Sequence, residues 1–475
     1  MSTLAQSLPK PMRISLATPA AAIEILTLFG AVAIASLAFV LGRLTISQAQ
    51  VLDTLLLVSL VVLSWKRFDQ GRHPCFLFLS MLLLLQGGRL LTYCLGSEPD
   101  PMRVRVLSRF PFDLSRDEAA MVLLCLAVSA ICVYAPCRWS YRSLPPLSGI
   151  EVRRYLPYLY FLLYSALPVQ LYKNYQYYQY IQEHGGYIVY FLNHGDLATS
   201  VPLIVRVIPL ITLPAFVAIF IFEQRKKYIY IASFLYFVTA LPTLLLGSRV
   251  ATFGLVATLW YVARLKSGKR SRVVVLAGLL FLAILVADFI QAYRSDPGDT
   301  ANYTFAPLEF VTLQGNSLDV TAVAVKYRSV FAPYSGAYLL NELRDAFVAD
   351  DVSNYFRGKE LAFDVPVLLN RDAFTGGNGT GGSYIGEAFV IGGLGGVIVV
   401  SFLIGGGLHL LHRFSKNPYY LFLVAMILPD IIFMARGNLL NWISVLLRSL
   451  ISVAMLVLGW WMYRLVFQTK PQRAA

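Results

Sequence analysis

Charge is scarce in this sequence. Only 14% of its 475 residues are charged, acids number 26 against 40 basic residues, and 57% of the side chains are hydrophobic. A soluble chain of this length could not hide so much apolar surface, so a bilayer must serve as its solvent. Cysteine is sparse as well. Cys75, Cys94, Cys125, Cys132 and Cys137 lie within or at the ends of apolar runs, at spacings that match no metal motif, and are expected as small packing residues. No internal repeat is evident, which argues against a secondary transporter built from inverted repeats. The first apolar run follows Lys10 and Arg13, but it is too long for a signal peptide and no cleavage site follows. It is expected to be a membrane anchor.

Apolar runs are what the chain has in abundance. Stretches long enough to span lie near 21–43, 46–65, 75–96, 118–137, 153–172, 204–223, 228–247, 249–263, 273–292, 384–408, 418–435 and 440–464. Each should be helical, because lipid offers the backbone no hydrogen-bond partner. The expected fold is therefore an all-α polytopic transmembrane bundle of about 12 spans, forming one integral membrane domain over residues 1–475.

The placement of the basic residues orients the bundle. With the N-terminus cytoplasmic, the loops on that side and both termini hold 22 basic residues against four acids, leaving 18 basic and 22 acidic residues elsewhere. That asymmetry obeys the positive-inside rule. It makes the net charge of +14 a topology signal and excludes a nucleic-acid surface. Three connections are large, 97–117, 173–203 and 293–383, and all fall outside. The last contains AYLLNELRDAFVA at 337–349, apolar at helical spacing, and 315–331 is a further short-helix candidate. Large external loops fit a membrane enzyme acting outside better than a transporter.

Ionisable groups within spans are costly and therefore functional candidates. Arg206 opens the sixth span, Arg249 sits in the turn GSRVATF, and Arg436 sits in ARGN. Arg448 lies about two turns deeper in the last span, and Asp430 one or two turns below Arg436. A snorkelling or helix-end role competes at each position. Arg249 and Arg436, fixed beside glycines in tight turns, are better placed to clamp a phosphate or pyrophosphate through the planar guanidinium fork.

The stretch TGGNGTGGSYIGEAFVIGGLGG leads from a glycine-rich loop into an apolar helix. Ser383 is expected to cap that helix, with Gly382 allowing close approach and the free amides attracting an anion. Gly393 and Gly396 read as packing positions. Glu387 should either pair with an arginine or act as a base, pairing being the more conservative role. In the second external loop Tyr172, Tyr175 and Tyr178 belong to an aromatic belt and would also suit a sugar ring. His194, in the same loop, is a base candidate as well as an ordinary surface histidine.

Together these features resemble the O-antigen and exopolysaccharide repeat-unit polymerases of the Wzy type, carried by GSRVATF at 247–253, GGSYIGEAFVIGGLGG at 381–396 and ARGN at 435–438. The chain departs from the classical large glycosyltransferases of this membrane class in lacking their aspartate-bearing first loop, although Asp100 and Asp113 lie in the corresponding connection. The resemblance implies a glycosyltransferase of the bacterial inner membrane with a periplasmic active site. It would join undecaprenyl-pyrophosphate-linked glycan donor and acceptor without metal or other cofactor, alongside flippase and chain-length regulator proteins. Arg249 and Arg436 would neutralise the leaving group, helped by Arg206 or Arg448, and His194, Glu387 or Asp430 would be the base. Two alternatives are an O-antigen ligase and a flippase for the same lipid-linked oligosaccharide.

Overall fold

The computed structural model describes residues 19–97, 100–105, 109, 111–139, 141–145, 147, 155–184, 200–245, 249–268, 305–345, 357–375 and 379–467, with positions 285, 286, 288 and 289. The chain runs through α1 (Pro19–Val40), α2 (Ile46–Arg67), α3 (Pro74–Leu85), α4 (Gly88–Cys94), α5 (Arg116–Trp139), α6 (Leu156–Glu183), α7 (Leu203–Phe222), α8 (Lys226–Leu245) and α9 (Arg249–Ser267). Then come short helices α10 (Pro307–Gln314), α11 (Ser317–Lys326), α12 (Arg328–Phe331), α13 (Ser335–Asp345) and α14 (Leu361–Thr375). Three long helices close the chain, α15 (Tyr384–Phe414), α16 (Pro418–Phe433) and α17 (Asn441–Phe467). A two-stranded antiparallel ribbon, Arg103–Val104 with Phe112–Asp113, is the one exception to helix among the described residues.

Seven of these helices are long and apolar enough to cross a membrane, and α3 with α4 makes an eighth candidate bent by 65°. The helix ends follow local chemistry. Thr45 and Gln48 form a reciprocal capping box at α2, whose last turn carries Lys66 and Arg67. Asn417 caps α16, with Pro418 at its first position. The core centres on α5, 78% of whose most apolar window is buried, whereas for α1 that share is 11%. Helix α15 lies against α5, joined mid-bundle by hydroxyls: Ser129 meets Tyr384 at 2.6 Å and Ser401 at 2.8 Å.

Several boundaries depart from hydropathy. Helix α6 continues to Glu183, well past the expected end at 172, so the connection assigned to 173–203 begins as helix. At 28 residues it is about 42 Å long against a hydrocarbon core of about 30 Å. Helix α9 reaches Ser267 where a short span to 263 is expected. The span expected at 273–292 lies outside the described residues, apart from four isolated positions. The third long connection does carry helices, α10 to α14, and they cover the end of the bundle formed by Gln86, Ser383 and Arg436. We call this the loop end, and the opposite end, with Arg67, Arg138, Arg225 and Arg264, the basic end.

Glycine 393 has a different role from the packing expected of it. Its φ of +60° and ψ of −148° break α15 in two, a conformation that side-chain-bearing residues avoid. The cysteines also divide. Four are buried, and Cys94 is exposed.

Candidate functional site

The loop-end site is assembled around the start of α15. The Ser383 hydroxyl caps the helix by accepting from the Gly386 amide at 3.2 Å. The same oxygen accepts from Gln86 Nε2 at 2.9 Å and contacts the Thr321 hydroxyl at 2.8 Å. Gln86 stands where the α3–α4 span breaks, and its amide also donates to the Ala435 carbonyl at 2.6 Å. One buried glutamine thereby ties together α3, α15 and the turn after α16. The glycines are needed here. Gly381 has a φ of +76°, and a Cβ on Gly382 would lie 2.6 Å from Asn438 Oδ1. That close approach lets the Gly382 amide donate to the Arg436 carbonyl at 3.1 Å.

Arg436 ends the 3₁₀ turn that follows α16, and its Nη1 donates to the neutral Gln314 Oε1 at 3.1 Å. The turn beyond it is held by three carboxyl groups. Glu387 accepts from the Leu439 amide at 2.7 Å, Glu342 from the Leu440 amide at 2.5 Å, and Glu360 from Asn438 Nδ2 at 2.5 Å. All three are buried, Glu387 to 2% exposure. Glu342 and Glu360 both lie within electrostatic reach of Glu387. The arginine partner expected for Glu387 is replaced by a backbone amide and two fellow acids. The reason is positional: Arg436 faces α10, while Glu387 points at the chain just beyond that arginine.

Arg249 opens α9; its side chain lies outside the described residues, as does His194. The helix axis still locates the arginine. Helix α9 runs antiparallel to α16, with Gly254 against Pro429 and the Tyr261 hydroxyl donating to Ser415 Oγ at 3.1 Å. Residue 249 is therefore about 7.5 Å beyond the Gly254 crossing, towards the same end as Arg436.

The remaining candidates are placed elsewhere. Asp430 on α16 is within electrostatic reach of Arg448 on α17, and the two form a couple separate from Glu387. Arg206 stands close to Lys173, a like charge, and its Nε is buried without a partner. Tyr172, Tyr175 and Tyr178 line one cavity of about 620 Å³ between α6 and α8, with Pro168, Asn174 and Pro242. The structure brings Ser383, Gly382, Glu387 and Arg436 together, beside Gln86, Gln314, Glu342 and Glu360, which sequence reasoning misses. A signal for Gln86 exists in LLLLQGGRLL, where an amide and two glycines interrupt an apolar run. The buried pair of Arg89 with Asp319, which fastens α4 to α11, is also unmarked in the sequence.

A family model described as O-antigen polysaccharide polymerase Wzy matches residues 22–470. No curated protein and no solved structure matches the chain.

Proposed function

The chain belongs to the O-antigen polysaccharide polymerase Wzy family, and from that premise we propose how its loop end elongates a glycan. The protein is a membrane glycosyltransferase that polymerises undecaprenyl-pyrophosphate-linked repeat units. In the proposed reaction a terminal sugar hydroxyl of the incoming lipid-linked unit attacks the anomeric carbon of the growing chain. The bond from that carbon to the pyrophosphate oxygen breaks, and undecaprenyl pyrophosphate leaves with the electron pair. Arg436, with Arg249 from the same end of the α9–α16 pair, neutralises the charge that builds on the leaving oxygens. Glu387, with Glu342 in electrostatic reach, takes the proton lost by the attacking hydroxyl.

The observation that carries this reading is the joint between two chain segments. The Gly382 amide bonds the Arg436 carbonyl, so a cation, a capped helix start and a buried carboxyl occupy one turn. Tyr172, Tyr175 and Tyr178 would give sugar rings an apolar wall. Arg206 and Arg448 are auxiliary anion contacts, and Asp430 and His194 are the weaker base candidates.

In the same reading the protein has twelve spans. The eight candidates above are joined by α6, α8 and α9 and by the stretch 273–292. The basic end, with both termini, faces the cytoplasm, and the loop end faces the periplasm. Flippase and chain-length regulator proteins would work beside it.

The test is purified protein in a bilayer given lipid-linked repeat units alone. Longer lipid-linked products are expected. Product that forms only after lipid A core is added would move the assignment to a ligase, and translocation without bond formation would move it to a flippase.

A further inference from the structure

At the basic end, far from the site just described, three of the five histidines gather beside two thiols. His73 caps α3, its Nδ1 accepting from the Cys75 amide at 3.1 Å. The ring is completely buried and its Nε2 has no partner. Cys75 lies in the first turn of α3, and Cys137 lies in the last turn of α5; both are 0% exposed. A ring nitrogen of His73 and the two sulfurs all lie within 4.8 Å of one another. His412 of α15 adds a second ring, its centroid 4.4 Å from that of His73.

We propose that His73, Cys75 and Cys137 bind a thiophilic d¹⁰ cation, zinc in the first instance, with His412 as the fourth ligand. Ligands held tetrahedrally at roughly 2.0–2.3 Å from zinc stand about 3.3–3.8 Å from each other, so the three donors need close by only about 1 Å. His412 is free to join because its present bonds are long, 3.3 Å to the Tyr261 hydroxyl and 3.4 Å to the Arg142 carbonyl. Binding expels the thiol protons, including the one Cys137 now donates to the Gly405 carbonyl at 3.2 Å. Two thiolates cancel the charge of the divalent ion, which suits so dry a place. A neutral imidazole that gives one nitrogen to a metal carries its proton on the other, so the cap on Cys75 is exchanged for the metal bond.

The site has a mechanical consequence. It joins α3, α5 and α15 at their basic ends, and two of these, α3 and α15, end at Gln86 and Ser383 on the loop end. A cation here would fix the spacing of the same pair of helices that frames the candidate site.

The experiment uses the full-length protein, purified without a histidine tag or chelator. Elemental analysis should find about one zinc per chain, as for a closed structural site, and cobalt titration of metal-stripped protein should give a thiolate-to-cobalt charge-transfer band. Cys75→Ser and Cys137→Ser should each lose that band and most of the zinc, while His184→Ala keeps both. Wild-type protein with no zinc and no charge-transfer band would overturn the proposal without any variant having to fold. So would a Cys75–Cys137 disulfide found by mass spectrometry in wild-type protein, or unchanged zinc in both serine variants.

Discussion

Acids at the two ends of the bundle are held by different partners, the buried Arg89–Asp319 pair near the loop end apart. At the basic end, Glu24 is bridged by Arg67 at 3.1 Å and Arg138 at 3.5 Å, and Glu223 receives Arg225 through both Nε and Nη2. Each of these acids is matched by a cation from its own neighbourhood. At the loop end, Glu387 and Glu342 each accept from a backbone amide and Glu360 from a side-chain amide, with Glu342 and Glu360 within electrostatic reach of Glu387. The first arrangement staples a structure; the second sets the buried carboxyl of Glu387 against the turn that follows Arg436, where the proposed reaction would use it.

The largest effect should come from the cation. Arg436→Ala is expected to lower elongation roughly a hundred- to a thousandfold, the scale for losing one preorganised donor to a developing anion. Protein level and thermal stability should stay close to wild type. Arg436→Lys should recover little, since a point charge does not reproduce the fork. If Arg436→Ala elongates lipid-linked units at the normal rate, the loop end is no more functional than the basic end.

Glu387→Gln sharpens the same contrast. The amide oxygen can still accept from the Leu439 amide, so the turn should keep its shape while the exchangeable proton site is lost. Elongation should fall roughly a hundredfold, within the usual range for general acid–base catalysis, and the pH profile of the residual activity should flatten. Glu360→Gln, which keeps an acceptor for Asn438, should cost much less. Equal losses for the two variants would mean that Glu387 only positions the turn.

How much of this was legible beforehand differs between the two ends too. Long apolar runs mark the spans because lipid demands them, and lysine and arginine mark the basic loops because translocation does. The partners of Glu387 were not legible, since Glu342 and Leu439 reach it from distant parts of the chain. The extent of α6 was hidden for another reason. Its last turns, YKNYQYYQYIQE, are polar enough to end a hydropathy window, yet a helix needs only its own backbone bonds to continue into water. The apposition of Cys75 and Cys137 follows from how α3 packs on α5, so their spacing in sequence carries no trace of it.

Helix α15 offers a stability test with an internal control. Gly393→Ala places a methyl where φ is +60° and ψ is −148°, with no neighbour nearer than Arg328 at 3.7 Å. The cost is therefore one of backbone strain, about 1–3 kcal/mol. Gly395 has nothing within 4 Å of its would-be Cβ, so Gly395→Ala should be neutral or stabilise the helix by up to about 1 kcal/mol. Thermal unfolding in detergent compares the two. A Gly393→Ala protein as stable as Gly395→Ala would show that the break in α15 is dispensable.

The smallest effect belongs to the basic end. Burial works against ionisation of Glu223, but hydrogen bonds from Arg225 and Tyr160 outweigh it and hold the carboxyl at about 2. Its native value thus lies below the ordinary glutamate value of about 4.3. The stabilisation is present in full above that ordinary value and is lost as pH falls from there towards 2. Because Arg225 is 60% exposed, solvent screens the pair and its contribution at neutral pH should be slight. Glu223→Gln should leave elongation unchanged, lower stability only slightly at pH 7, and remove part of the acid-range loss. An elongation defect in Glu223→Gln as deep as that of Glu387→Gln would erase the distinction between stapled and exchangeable acids.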